Sequence, residues 1–182
     1  NKIPVKKHDH VLIPAGTVHC SGADTMVLEI SATPYIFTFK LWDWGRVDLD
    51  GKPRPIHLEH GAANIQWYRN TEWVHRNLVN AVAEVYTGEN GTVVRTGLHE
   101  REFLDTFRFT TSSALPVHRN GSVHMLNLVD GTRAVLRSKS DAFPPLELHY
   151  AETCIVPQAA GDYEIYSPDG SEVKVILACV RN

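Results

Sequence analysis

The chain has 182 residues, a formal net charge of −3 and 43% hydrophobic residues, enough for one or two small domains with a buried core. Lys and Arg form no cluster, which argues against a nucleic-acid backbone surface, and the longest apolar runs, 25–30 and 173–180, are too short to cross a bilayer. Cys20, Cys154 and Cys179 make an odd count with no Cys-x-x-Cys pair, which argues against a disulfide framework and for a reducing, cytoplasmic setting.

In chain order, Asn1-Lys2-Ile3-Pro4 lacks an initiator Met and enters strand-like sequence at once, which reads as a removed tag or a piece of a longer protein, and the motifs below favour a piece. Short β-rich stretches follow at 11–13, 26–30, 35–41, 93–96, 103–109, 122–128, 134–137, 152–156, 163–166 and 173–180. The turn dipeptides Asn90-Gly91, Asn120-Gly121, Asp130-Gly131 and Asp169-Gly170 punctuate them. Many short strands with regular turns predict a sandwich or small barrel. In 103–109, Phe103, Asp105, Phe107 and Phe109 share one face, with an acid among the aromatics. Residues 70–85 carry few strand signals, and Trp73, Leu78, Ala81 and Val85 give a loose helical stripe, so a connector with one short helix is expected there. The apolar segments 11–13 and 154–156 each follow an acid (Asp9, Glu152) and run into a proline turn (Pro14, Pro157), as two copies of one barrel would.

The chemistry concentrates in His8-Asp9-His10-Val11-Leu12-Ile13-Pro14-Ala15-Gly16-Thr17-Val18-His19. Pro14 and Gly16 predict a tight turn that reverses the chain, so that His19 starts the next strand and points into a barrel. A neutral imidazole there is a good ligand for zinc or a similar divalent ion. The segment resembles the second cupin motif, an Asp followed at fixed spacing by Pro, Gly and a metal-ligand His, with His8 where the motif has Gly. A catalytic zinc needs three protein ligands, and the upstream motif that would supply the others is absent before residue 8. Zinc, or another divalent metal, is therefore expected in the full-length protein, and no tightly held metal in this chain alone. Without the motif, His19 reads as an ordinary barrel-lining histidine.

Residues 17–46 narrow the resemblance to the type I phosphomannose isomerases (mannose-6-phosphate isomerases), in which a Pro-x-Gly-Thr-x-His turn leads to a Leu-Glu-Ile strand and an aromatic-rich strand ending in Arg. Leu28-Glu29-Ile30, Thr38–Arg46 and Ile56-His57-Leu58-Glu59 lie over these landmarks and the family's continuation. The resemblance implies an all-β fold of two cupin (jelly-roll β-barrel) units, the first truncated, with a short, partly helical connector. Residues 1–46 would be the C-terminal half of the metal-binding cupin, 47–98 the connector and 99–182 a second, metal-free cupin. The truncated barrel leaves unpaired strand edges over 8–46, so self-association or a missing N-terminal segment is expected.

The implied function is the C-terminal part of a metal-dependent sugar-phosphate aldose–ketose isomerase. The alternatives are a non-catalytic sugar-binding or regulatory cupin, and an unrelated metal cupin such as an iron dioxygenase. His19 would be a metal ligand, and the partner a small-molecule sugar phosphate. The family's catalytic Arg falls on Lys40, which keeps the charge and loses the bidentate fork; Arg46 matches the family Arg at the strand end. Read blandly, Lys40 is an edge-strand lysine and Arg46 a solvated turn residue. Glu29, in an apolar strand, is either a barrel-facing acid near the substrate or a solvent-facing one. Trp42 and Trp44 would share a strand face, and Pro53 and Pro55 argue against a helix at His57 and His60, which read as surface residues. In the second barrel, His118, His124 and His149 lack ligand spacing, and Asp162 takes the place of the ligand His.

Overall fold

A computed structural model describes residues 2–31 and 38–181, so part of the expected 35–41 strand lies outside the described residues. The chain divides into two compact units, 1–79 and 80–182.

Among its described residues, the second unit is a β-sandwich of ten strands in two antiparallel sheets. The strands are β1 (Ala83–Gly88), β2 (Gly91–Arg95), β3 (Leu104–Thr111), β4 (Ala114–Val117), β5 (His124–Asp130), β6 (Arg133–Ser138), β7 (Leu146–His149), β8 (Thr153–Val156), β9 (Tyr163–Tyr166) and β10 (Val173–Val180). The larger sheet runs β1-β2-β3-β10-β5-β8 and the smaller β4-β9-β6-β7. Strand β10 is central: it pairs with β3 over its whole length, from Val173 opposite Thr111 to Val180 opposite Leu104, and with β5 on its other side. Strands distant in the chain thus lie side by side, β3 with β10, β10 with β5 and β4 with β9, the jelly-roll arrangement of a cupin. Period-2 alternation explains the register. Leu126, Leu128, Val173, Val175 and Leu177 from one sheet meet Leu136 and others from the second in a continuous core, while Met125 and Ile155, one step off, stay exposed. The turn between β5 and β6 needs Gly131, whose φ of 87° is open to glycine at little steric cost.

The expected acid on the inner face of β3 is explained by its partners. Asp105 Oδ1 accepts from Arg95 Nε at 3.0 Å and from Arg181 Nε at 2.9 Å, so the carboxylate is paired where it leaves water. Within the expected connector, residues 83–88 form β1, which pairs with β2 at the expected 93–96 strand, and β2 in turn pairs with β3. The unit therefore starts earlier than residue 99.

The first unit has little regular structure among the described residues. It carries two helices, α1 (Leu58–Asn64) and α2 (Thr71–Asn77), and two isolated bridges, Val11–Val79 and Val47–Pro53. The strands expected at 11–13 and 26–30 do not form; Met26, Val27 and Leu28 are exposed, since a strand needs a partner that local sequence cannot supply. Helix α1 corrects the expectation of no helix near His57 and His60. Pro53 and Pro55 precede its first turn, where a proline leaves no ladder bond unmade. Its Gly61 allows close approach: a Cβ there would lie 2.3 Å from Leu41 Cδ2. Helix α2 matches the expected short helix and starts on Asn70, whose side chain accepts from the Trp73 N–H at 2.9 Å. Asn70→Ala should cost about 1 kcal/mol of first-unit stability. All four tryptophans (42, 44, 67 and 73) lie in that unit, so tryptophan emission under urea reads it separately from the second unit; an unchanged midpoint would show that the cap contributes nothing.

Candidate functional site

The Pro-Gly turn forms as the sequence implies. Thr17 N–H donates to Pro14 O at 3.2 Å, Pro14 is buried, and Gly16 takes φ 80°. A Cβ on Gly16 would meet Asn64 O at 2.6 Å, so only glycine fits against the segment after α1. That segment grips the turn. Gln66 N–H donates to Gly16 O at 2.9 Å, and Arg69 Nη1 donates to Pro14 O at 3.1 Å, to Ala15 O at 2.8 Å and to the Thr17 hydroxyl. Beside the turn, Leu12 N–H donates to Leu78 O at 2.9 Å.

His19 follows the turn but begins no strand and is exposed, unlike the inward-pointing side chain expected. Its Nδ1 lies 2.9 Å from Thr17 O. A carbonyl only accepts, so this bond puts the proton on Nδ1 and leaves the lone pair on Nε2.

Lys40 and Arg46 are brought together around a residue that sequence reasoning passed over, Asp43. The Asp43 carboxylate is buried; Lys40 Nζ lies 3.7 Å from Oδ1 and Arg54 Nε 2.8 Å from Oδ2. Arg46 N–H donates to Asp43 O at 2.9 Å, and Arg54 N–H to Arg46 O at 3.1 Å, while the Arg46 side chain is exposed. Trp44 (φ 56°) and Gly45 (φ 67°) make this a turn, so Trp42 and Trp44 are both exposed but do not lie on a strand face as expected. The Lys40 main chain is held by His57: Lys40 N–H donates to His57 Nδ1 at 3.2 Å and His57 N–H to Lys40 O at 2.7 Å. His57 is thus half-buried and occupied, correcting its reading as a surface residue, and His60 on α1 stacks on Phe39 with ring centroids 5.7 Å apart. Glu29 is exposed, so the barrel-facing acid is not what the structure shows. Arg54 and Arg69 carry no motif; only the acid between two tryptophans in Trp42-Asp43-Trp44 hinted that a cation would be needed nearby.

In the second unit the corresponding interior is filled by a closed polar network. His124 is 2% exposed; its Nε2 lies 3.1 Å from Asn120 Oδ1 and its Nδ1 2.9 Å from the Tyr163 hydroxyl. The amide oxygen only accepts, so Nε2 carries the proton and Nδ1 receives the phenol's. Asn120 Nδ2 passes the chain on to Cys179 Sγ at 3.1 Å. Burial, then the nearby Arg119 cation, pushes His124 down to about 4, and burial pushes Tyr163 up. Asp162, at the ligand-His position, accepts from Arg119 N–H at 2.9 Å and sits 2.8 Å from His118 Nδ1; these bonds hold its carboxyl below the usual range. Arg119 also donates to Ser122 O and, at 3.2 Å, to Gln158 Oε1, closing this end of the sandwich. His149 lies near Glu152 instead, at 3.1 Å. Among the described residues of the chain, no group of three or more His, Cys, Asp or Glu could hold a metal ion. No helix among them is long and apolar enough to cross a membrane.

The jelly roll and the Pro-Gly-His turn define a cupin. No protein-family model matches the chain. Mannose-6-phosphate isomerase of Streptococcus mutans is 38% identical over 58 residues, covering 32% of this chain and 18% of that protein. Mannose-6-phosphate isomerase ManA of Bacillus subtilis is 36% identical over 65 residues, covering 36% of this chain and 20% of that protein. The crystal structure of the mannose 6-phosphate isomerase from Bacillus subtilis superposes with a TM-score of 0.54 at 13% identity, over 77% of this chain and 39% of that one, a likeness of fold. The chain has a cupin fold and is similar over about sixty residues to mannose-6-phosphate isomerases, spanning about a fifth of each curated relative's length.

Proposed function

We propose that the whole protein is a metal-dependent aldose–ketose isomerase acting on a small sugar phosphate, with this chain supplying one metal ligand and the cations. The observation that carries the reading is the turn at Pro14 and Gly16, which delivers His19 with Nδ1 tied to Thr17 O and Nε2 left as the basic nitrogen. Such anchoring of the second ring nitrogen is usual for metal-ligating histidines. A single imidazole fits zinc or a similar divalent ion as one ligand of several, the others coming from outside the described residues. When bound, the metal supplies Lewis-acid polarisation of the sugar's carbonyl and hydroxyl oxygens. Proton movement between C1 and C2 passes through an enediol whose developing oxyanion needs a nearby cation. Lys40 takes that role, and the exposed Arg46 guanidinium suits the phosphate of the substrate.

The Lys40–Asp43 pair favours a second reading, a non-catalytic sugar-binding or regulatory cupin, because a carboxylate 3.7 Å away competes for the ammonium's charge. The three free cysteines fit a reducing, cytoplasmic setting. The whole protein, incubated with mannose 6-phosphate, should form the 2-ketose phosphate in a reaction stopped by chelator and restored by zinc. Saturable sugar-phosphate binding with no ketose formed would decide for the second reading.

A further inference from the structure

We propose that Arg69 is the positioning residue of the metal-ligand turn: it holds residues 14–17 in the shape that bonds His19 Nδ1–H to Thr17 O and so presents Nε2 to the metal. The inference rests on the proposed role of His19 and extends it to a residue on a different segment, which no motif marks.

One terminal nitrogen of Arg69 reaches three acceptors of the turn: Pro14 O at 3.1 Å, Ala15 O at 2.8 Å and the Thr17 hydroxyl. Two of these are carbonyls, and Pro14 O also accepts the turn's own Thr17 N–H at 3.2 Å. That nitrogen carries two hydrogens, so at least one is shared between acceptors; the guanidinium plane fixes where they point, whereas an ammonium is a point charge on a flexible stem. Arg69 is itself held. Its guanidinium carbon lies 5.6 Å from the Tyr68 ring centroid and 5.3 Å from that of Trp73, and the two rings meet edge to face at 5.6 Å. Trp73 sits in the first turn of α2, whose start is fixed by the Asn70 cap. The backbone adds Gln66 N–H to Gly16 O at 2.9 Å, so residues 66–73 act as a clamp on 14–17.

The consequence runs through Thr17. Its hydroxyl is bound by Arg69 and its N–H by Pro14 O, which sets the direction of its carbonyl; that carbonyl receives His19 Nδ1 at 2.9 Å. Loss of Arg69 frees the peptide to turn and the imidazole to exchange tautomers. Arg69 touches neither substrate nor metal in this scheme.

The test is long-range 1H–15N correlation of the 15N-labelled chain at about pH 8.5, where imidazoles as a class are neutral, with His19→Gln identifying the signal. The wild type should show His19 mainly as the Nδ1–H tautomer. Arg69→Ala should move it toward Nε2–H, and the milder Arg69→Lys and Thr17→Val should do so in part, with tryptophan emission confirming that the first unit stays folded. In the whole protein, zinc affinity by chelator competition should weaken about 10–100-fold in Arg69→Ala, the usual effect of losing a ligand's supporting partner. An Nε2–H tautomer in the wild type, or an unchanged tautomer in every folded variant, overturns the proposal. If His19→Ala binds zinc as tightly as the wild type, the metal reading fails while the tautomer result stands, so the two failures are separable.

Discussion

In the whole protein, His19→Ala is expected to abolish both bound metal and turnover, and Lys40→Ala to lower kcat by about 10²-fold, the scale of removing one preorganised electrostatic group. The Lys40 backbone exchanges two hydrogen bonds with His57, at 3.2 and 2.7 Å, and its ammonium faces the buried Asp43 carboxylate. Under the proposed role, the charge would stand in place before substrate arrives, and stabilising an oxyanion would cost little reorganisation. An interaction that strengthens only in the transition state lowers kcat when removed and leaves KM nearly unchanged. Lys40→Arg should preserve or raise activity on phosphorylated sugars, because the planar fork can bind two oxygens at once. Steady-state kinetics with mannose 6-phosphate and related hexose and pentose phosphates make the comparison. An undiminished kcat/KM in Lys40→Ala would leave Lys40 as a structural partner of Asp43 and nothing more.

The second large effect is on stability of the second unit in mild acid. Burial, then the Arg119 cation, pushes the His124 imidazole down from its ordinary 6.5 to about 4, so between those values the unfolded chain binds this proton and the native one refuses it. Stability tracks the difference in protons bound, unfolded minus native, which is positive throughout that window. Stability is therefore full above about pH 6.5 and falls as pH drops toward 4, by about 1.4 kcal/mol per unit and roughly 3 kcal/mol in all. The depressed carboxyls of Asp162 and Glu164 work in the same direction at lower pH, since their stabilisation is lost as pH falls through their native values. Urea unfolding followed by far-UV dichroism, which is dominated by the second unit's strands, should show the loss in the wild type. His124→Gln, less stable at neutral pH, should show a flatter pH dependence over that range. Parallel curves for the two proteins would mean that His124 titrates normally in the native state.

The interior strands lie where the sequence pattern implies, and of the four edge strands only β8 does, at the expected 152–156. β9 and β10 lie at the expected 163–166 and 173–180, because interior strands alternate inward and outward faces and end in turn residues. The strands sequence reading passed over, β1, β4 and β7, are all edge strands. β1 is exposed at every position, and β4 carries Pro116 opposite Glu164, tolerable only where no second neighbour needs its N–H. An edge strand is defined by its partner, and its own residues show little pattern.

The sequence by itself carried the cupin class, the resemblance to mannose-6-phosphate isomerases and the Pro14–Gly16 turn, and that resemblance is what nominates His19, Lys40 and Arg46 as site residues. These rest on residue types at short spacing, where one turn's sterics or one strand's alternation is enough to leave a mark. Only the tertiary structure decided that Arg69, 55 residues from Pro14, grips that turn, that Asp43 joins Lys40 to Arg54, and that Glu29 faces solvent. It also decided that His124 is enclosed by Asn120 and Tyr163. The physical reason is the same in each case: a hydrogen bond or ion pair between distant segments depends on where the chain folds back, and neither partner's local sequence records the other.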